Sequence, residues 1–266
     1  MRSLLLPLAL CSIALPAAAQ TAGSVVLQAG WLHVQTLDSS TPLHTNALLV
    51  LGRESSFDSP GTSASIGNAD TLVLASSYFV TDHLAIKFEG GIPPTFDLYG
   101  KGVVRSPLLG QLINVDLGAH NPIASSRQWS PALLFQYYFR HPEATWRPYL
   151  GLGVTYTWFT NVELSKGFYD DLNNEFGKTL AVTNLKSPNG THVDARSSPD
   201  WAPIVNAGLS YAFNRNWGLS ASVSYVDLKT TSTINIFAAD GTRLSHSTTD
   251  IDIDPLVTAV VLSYVW

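Results

Sequence analysis

The sequence predicts an all-β fold, an eight-stranded antiparallel up-and-down transmembrane β-barrel, and three observations carry that expectation. Segments of about ten residues set a bulky apolar face against a face of small or uncharged polar residues, the alternation of a strand with two unlike sides. Charged residues make up 13% of the chain and aromatics 11%, and that charge content is about half the usual level. The last stretch, Asp254–Trp266, runs apolar to the final residue, with Leu256, Val260, Leu262, Tyr264 and Trp266 on one face. Val257, Ala259, Val261, Ser263 and Val265 form the other. A terminal strand frays unless it is paired, so a last strand ending on an aromatic points to a sheet that closes, the barrel solution in a membrane.

The start of the chain predicts export. Arg2, the apolar run Leu4–Ala14 and the small residues Ala17, Ala18 and Ala19 have the layout of a signal peptide, with cleavage expected after Ala19. The expected division is therefore a signal peptide over 1–19 and a barrel over 20–266. Cleavage there removes Cys11 and Met1, the only Cys and Met, and takes the formal charge from −5 to −6 by loss of Arg2. Such a mature chain has no disulfide, thiolate ligand or cysteine nucleophile. No basic run suits nucleic acid. Beyond the signal no run of eighteen apolar residues offers a spanning helix.

The first strand is predicted over Ser24–Thr36, with Val25, Leu27, Ala29 and Trp31 on one face. Residues 37–69 are rich in Ser, Thr, Gly and Pro and read as a surface loop. The second strand, Asp70–Phe79, turns outward Leu72, Leu74 and Tyr78; a tight turn at Val80–His83 leads to the third, with Leu84, Ile86 and Phe88 opposite Lys87 and Glu89. After a long connection over 101–127, the fourth strand is predicted over Gln128–Phe139. It alternates Trp129, Pro131, Leu133, Phe135, Tyr137 and Phe139 with Gln128, Ser130, Ala132, Leu134 and Gln136. The fifth, Trp146–Phe159, sets Trp146, Leu150, Leu152, Val154, Tyr156 and Trp158 against Arg147, Tyr149, Gly151, Gly153, Thr155 and Thr157. Aromatics at both ends of that apolar face are the two girdles of a spanning strand.

A polar connection over 161–199, with a short helix near Tyr169–Phe176, precedes the sixth strand, Trp201–Phe213, which shows Trp201, Val205, Leu209, Tyr211 and Phe213 opposite Asn206, Gly208 and Ser210. The seventh runs from Trp217 to about Asn235 and a loop around Phe237–Thr248 leads to the eighth. Three short turns, near 80, 140 and 214, alternate with four longer connections, so the short turns and both ends are expected on the periplasmic side. The polar faces carry Gly, Ser, Thr, Asn and Gln, where a soluble barrel would expose Lys and Glu. The apolar rows therefore point outward, into lipid.

Four segments then carry a family resemblance: YFVTDHLAIKFEGGIPPTF at 78–96, SPALLFQYYF followed by WRPYLGLGVTYTWF at 130–159, NRNWGLSASVSYVDLKTT at 214–231, and DIDPLVTAVVLSYVW at 252–266. Together with R-P-Y-x-G-x-G from Arg147 to Gly153, the turn at Thr81-Asp82, Asp254-Pro255 and the terminal aromatic, they resemble the OmpW family. The resemblance implies an outer-membrane barrel of a Gram-negative bacterium linked to passage of small hydrophobic compounds. It also implies loops used by phage or colicins, and a terminal strand, ending at Trp266, read by the outer-membrane assembly machinery. The connections at 37–69, 101–127 and 161–199 are longer than is usual for the family, and Lys87, Glu89 and Ser224 stand where a dry passage would carry aliphatic residues.

The residues expected to line the lumen are Lys87, Glu89, Leu134, Gln136, Asn206 and Ser224. Lys87 and Glu89, two apart on one face, are placed to pair; a lone buried charge would cost several kcal/mol, roughly. Asp250, Asp252 and Asp254 alternate with Ile251 and Ile253 near the outer rim, a candidate contact to lipopolysaccharide through a divalent cation, weighed against a solvated strand end. The seven His residues, 33, 44, 83, 120, 141, 192 and 246, show no metal-ligand spacing. A lipid-editing enzyme would want a His-x-Ser pair, and none occurs; His246 reaches only Thr248. No catalytic residue or cofactor is therefore expected. The function expected is binding or passage of small hydrophobic molecules across the outer membrane; the alternative is a structural or adhesive barrel that acts through its extracellular loops.

Overall fold

The computed structural model describes residues 20–106 and 110–266, with the side chains of 110–113 excepted; the expected signal peptide lies outside the described residues. Eight strands form the barrel: β1 Val25–Gln35, β2 Ala69–Phe79, β3 Leu84–Gly91, β4 Ala132–Tyr138, β5 Trp146–Leu164, β6 Asp200–Ala212, β7 Trp217–Val226 and β8 Leu256–Val265. Each pairs antiparallel with its neighbour in sequence. The ring closes where β1 meets β8, from Val26↔Val265 to Gln35↔Leu256. Closure pairs both sides of every strand, which removes the unpaired edge that hydrocarbon would penalise.

The apolar rows face outward. Leu74, Phe88, Phe135, Leu152, Val205 and Leu262 are exposed, while their strand neighbours Ala75, Lys87, Leu134, Gly151, Asn206 and Val261 are buried. Aromatics ring both ends of this apolar band. On the short-turn side Trp146 lies 4.4 Å from Tyr211 and Trp217 5.0 Å from Tyr264, centroid to centroid. At the other end Trp129 and Trp158 stack at 5.8 Å and Tyr156 meets Trp201 at 4.8 Å.

Two predicted strands are shorter than expected. The fourth breaks at Ser130-Pro131, where proline removes a ladder donor. Its first residues, Gln128 and Trp129, instead end a separate strand, Ala124–Trp129, which pairs with Thr95–Lys101 and with the upper part of β5. The seventh ends at Val226, and Lys229–Phe237 begins a separate hairpin with Arg243–Asp252. The connections read as loops are folded. Leu43–Val50, Arg53–Ser59, His192–Ser197 and the 229–252 hairpin make a second sheet above the barrel. Under that sheet runs a helical stretch, Lys166–Asp171, Leu172–Gly177 and Lys178–Thr183, whose middle segment is π-helical. Phe168, Leu172, Phe176 and Leu180 recur every fourth residue. That spacing drifts ahead of a 3.6-residue turn, and the wider π turn takes up the drift, so all four stay in one core. Leu49, Phe57, Val104, Val115, Ile236 and Leu244 complete this core from the other connections.

Candidate functional site

The lumen is built in three levels. The lowest, at the short-turn side, is closed around Arg147, which is 2% exposed. Its Nη1 donates to the backbone oxygen and to Oε1 of Gln20, both at 3.1 Å; Nη2 donates to the Asp82 carbonyl and Nε to the Arg140 carbonyl. The guanidinium also lies over the rings of Tyr138, 4.9 Å from the centroid, and Phe79, 5.6 Å. Tyr149 packs on Tyr138 at 4.8 Å. Gly208 makes room for that phenol, since a Cβ there would lie 2.4 Å from Tyr149 Cζ. A planar cation with five donors can satisfy several carbonyls at once, and here it seals the floor without a carboxylate partner within salt-bridge distance among the described residues.

The middle level is polar and internally bonded. Gln136 Nε2 donates to Asn206 Oδ1 at 2.8 Å, and Asn206 Nδ2 donates to Ser224 Oγ at 2.9 Å. Lys87 Nζ sits 2.5 Å from Glu89 Oε2. The pair is graded in depth: the Lys87 side chain is 5% exposed, that of Glu89 22%.

The upper level is a cavity of about 380 Å³. Its floor includes Glu89, Leu134, Ile204 and Ser224, of which the first three stand two residues along their own strands from Lys87, Gln136 and Asn206. Its walls are largely apolar, among them Leu32, Val73, Phe96, Val226, Leu228 and Val257. The lining continues past inward residues to Leu72, Ile92 and Trp129, which face outward and are exposed. The cavity thus reaches the lipid-facing side, between β3 and β4. Their ladder runs from Leu84↔Tyr137 to Glu89↔Ala132 and stops; pairing resumes only where Gln128 N donates to the Pro94 oxygen and Arg127 faces Thr95. In between, Gly90 and Gly91 pair only with β2, and the Pro131 oxygen accepts from Tyr156 and Thr155 of β5. Pro93, Pro94 and Pro131 have no N–H, so three positions beside the gap carry no donor that lipid would leave unsatisfied. At Gly91 a Cβ would lie 2.3 Å from the Leu72 oxygen, so the bend that opens the gap needs glycine.

The residues singled out from sequence for the lumen fall in two of these levels. Glu89, Leu134 and Ser224 line the cavity, while Lys87, Gln136 and Asn206 lie beneath it. Asp250 Oδ1 accepts from Thr231 Oγ1 at 2.7 Å and Asp252 Oδ1 is 3.3 Å from Lys229 Nζ. Asp254 lies past the strand end with φ 41°. No group of three or more His, Cys, Asp or Glu is arranged to hold a metal among the described residues. Trp266 pairs through its backbone with Val25 and leaves its side chain 84% exposed. Sequence reasoning missed Arg147 as the floor and the gap as an opening. Pro131 within an otherwise strong strand, and Gly90-Gly91-Ile92-Pro93-Pro94 opposite it, were the available signals.

Comparison with known proteins agrees with this architecture. Residues 21–266 match the model of the OmpW family. Outer membrane protein W of Vibrio cholerae is 26% identical over 251 residues, covering 94% of this chain and 91% of that protein. Outer membrane protein AlkL of Ectopseudomonas oleovorans is 28% identical over 211 residues, 78% and 70% of the two chains. The crystal structure of the outer membrane protein OprG from Pseudomonas aeruginosa superposes with a TM-score of 0.68 at 21% identity, over 95% of this chain and 99% of that one, and so shares its fold. Closed in a ring of eight strands, greasy side outward, and matched over nearly its whole length, this chain belongs to the OmpW family of Gram-negative outer-membrane β-barrels.

Proposed function

We propose that the barrel takes small hydrophobic molecules from outside the cell and releases them sideways into the outer membrane through the gap between β3 and β4. The observation that carries this reading is the continuity of the upper cavity with lipid-facing Leu72, Ile92 and Trp129, above a floor that Arg147 closes. A molecule entering from above finds apolar walls and no passage downward. The gap at Gly90–Pro93 and Trp129–Pro131 offers it hydrocarbon instead of water, so the transfer needs no aqueous step.

Leu134, Glu89 and Ser224 act as lining in this reading, with Lys87, Gln136 and Asn206 holding the floor beneath; none is assigned catalysis. The test is uptake of a hydrophobic fluorescent dye by liposomes that contain the protein. Wild type should load dye into the bilayer faster than empty vesicles, and Leu134→Trp, which fills the cavity floor, should abolish the gain. Equal loading by wild type and Leu134→Trp would refute the route.

A second reading draws on the folded cap, whose exposed Val50, Leu51, Val182 and Leu185 gather where Leu51 N bonds the Thr183 oxygen. Such a tip suits contact with phage, colicin or host, and cap deletion that ends contact while dye loading persists would select it. Two partner contacts complete the proposal. Asp250, Asp252 and Asp254 at the outer rim would meet lipopolysaccharide through divalent cations, and the free Trp266 side chain would be read by the assembly machinery.

A further inference from the structure

The cavity has one charged lining residue among the described residues. Of the side chains around it, Glu89 alone is ionisable; the others are apolar apart from Thr71, Thr155, Thr157, Gln128, Ser130 and Ser224. One charged acceptor at its floor is left for a guest among the described contacts. Glu89 Oε2 is taken by the Lys87 ammonium, which leaves Oε1 as an acceptor. Lys87 is buried beneath and is not part of the lining, so a guest meets the carboxylate of the pair. The carboxylate is nevertheless already neutralised by its ammonium partner, so it rewards a hydrogen bond more than a second cation.

We propose that the cavity selects neutral molecules with an apolar body and one hydroxyl, an aliphatic or phenolic alcohol, over ethers of the same size and over carboxylates. This rests on the transport reading and names the class of molecule that the same cavity takes. The hydroxyl donates to Glu89 Oε1 while the body fills the apolar walls. An ether cannot donate and leaves Oε1 desolvated beneath it, which is where a site built for a hydroxyl discriminates. A carboxylate head would bring a second negative charge onto Glu89 away from water.

The experiment measures retention of 1-octanol, heptyl methyl ether and octanoate by the full protein in lipid nanodiscs at pH 7, less retention by nanodiscs carrying Leu134→Trp. The paired variant Lys87→Met/Glu89→Leu removes the ion pair without leaving either charge alone. Each sample is checked for a folded barrel by its heat-dependent gel mobility. Wild type should hold octanol about tenfold more tightly than the ether, with octanoate weakest, and the paired variant should hold octanol and ether alike. Equal binding of octanol and ether by wild type would overturn the selectivity while leaving hydrophobic transport standing. Selectivity that survives in the paired variant would overturn the role of Glu89. No excess retention of any of the three would overturn the transport reading itself, and the selectivity with it.

Discussion

Ala132 and Leu133 are adjacent on β4, yet the cavity makes opposite predictions for them. Ala132 is buried, lines the cavity and stands beside the gap; Leu133 is exposed on the lipid side. Phe at 132 projects into about 380 Å³ of free space, so the barrel should accept it without the 1–3 kcal/mol, roughly, that overpacking a filled core costs. The ring then occupies wall that a guest would otherwise cover. If it denies about 100 Å² of apolar contact at ~25 cal/mol per Å², the guest loses about 2.5 kcal/mol, or roughly 60-fold in affinity. Leu133→Phe adds a comparable ring to hydrocarbon and should change nothing. Dye loading and equilibrium retention in nanodiscs are the assays, with urea unfolding in lipid vesicles to confirm that both variants fold. Equal affinity in wild type and a folded Ala132→Phe, or an equal loss in both variants, would refute the claim that guests occupy this cavity.

Three further outcomes follow from the same geometry. Arg147→Met should lower unfolding free energy in vesicles by about 3–5 kcal/mol, because it strips the charged donor from a buried site and leaves carbonyl oxygens unsatisfied; an unchanged midpoint would show that the floor does not depend on the guanidinium. Lys87→Met alone should destabilise the barrel by about 3 kcal/mol or more, since it leaves Glu89 unpaired, whereas Lys87→Met/Glu89→Leu should return it to near wild type, as equilibrium unfolding of the two variants will reveal. In the sheet above the barrel, desolvation with Arg243 and His44 nearby holds the His246 pKa below the ordinary imidazole value. The folded protein therefore binds fewer protons there than the unfolded chain does. The stabilising contribution is complete above the unfolded pKa of about 6.5 and is lost as pH falls from there through the folded value. The protection factor for amide exchange at Asn235, whose Oδ1 lies 2.9 Å from His246 Nδ1, should fall on acidification in wild type and hold in His246→Gln.

The barrel strands were legible because their signal is local. Membrane and lumen impose opposite demands on adjacent residues, so Leu72, Leu74, Phe135 and Leu152 announce the outer face within a single segment. The pairing of Lys87 with Glu89 was legible for the same reason: two residues apart on one strand share a face. The folded cap was not. Its core joins Leu49, Val115, Phe168 and Ile236 from four connections, none with enough apolar residues to show a period of its own. Pro131 misled in a similar way, since its alternation with Leu133 and Phe135 is sound while its missing N–H ends the ladder.

From its residues in order the chain determined the barrel, the strand count and the direction of the greasy rows, because those depend on period-two alternation and on turns between neighbours. Only the tertiary structure decided that Arg147 meets Gln20, Asp82 and Arg140, that β3 and β4 part above Glu89, and that, among the described residues, Glu89 is the one carboxylate lining the resulting cavity. Each of these requires ring closure to bring distant segments to one point, and spacing along the chain carries no measure of that distance.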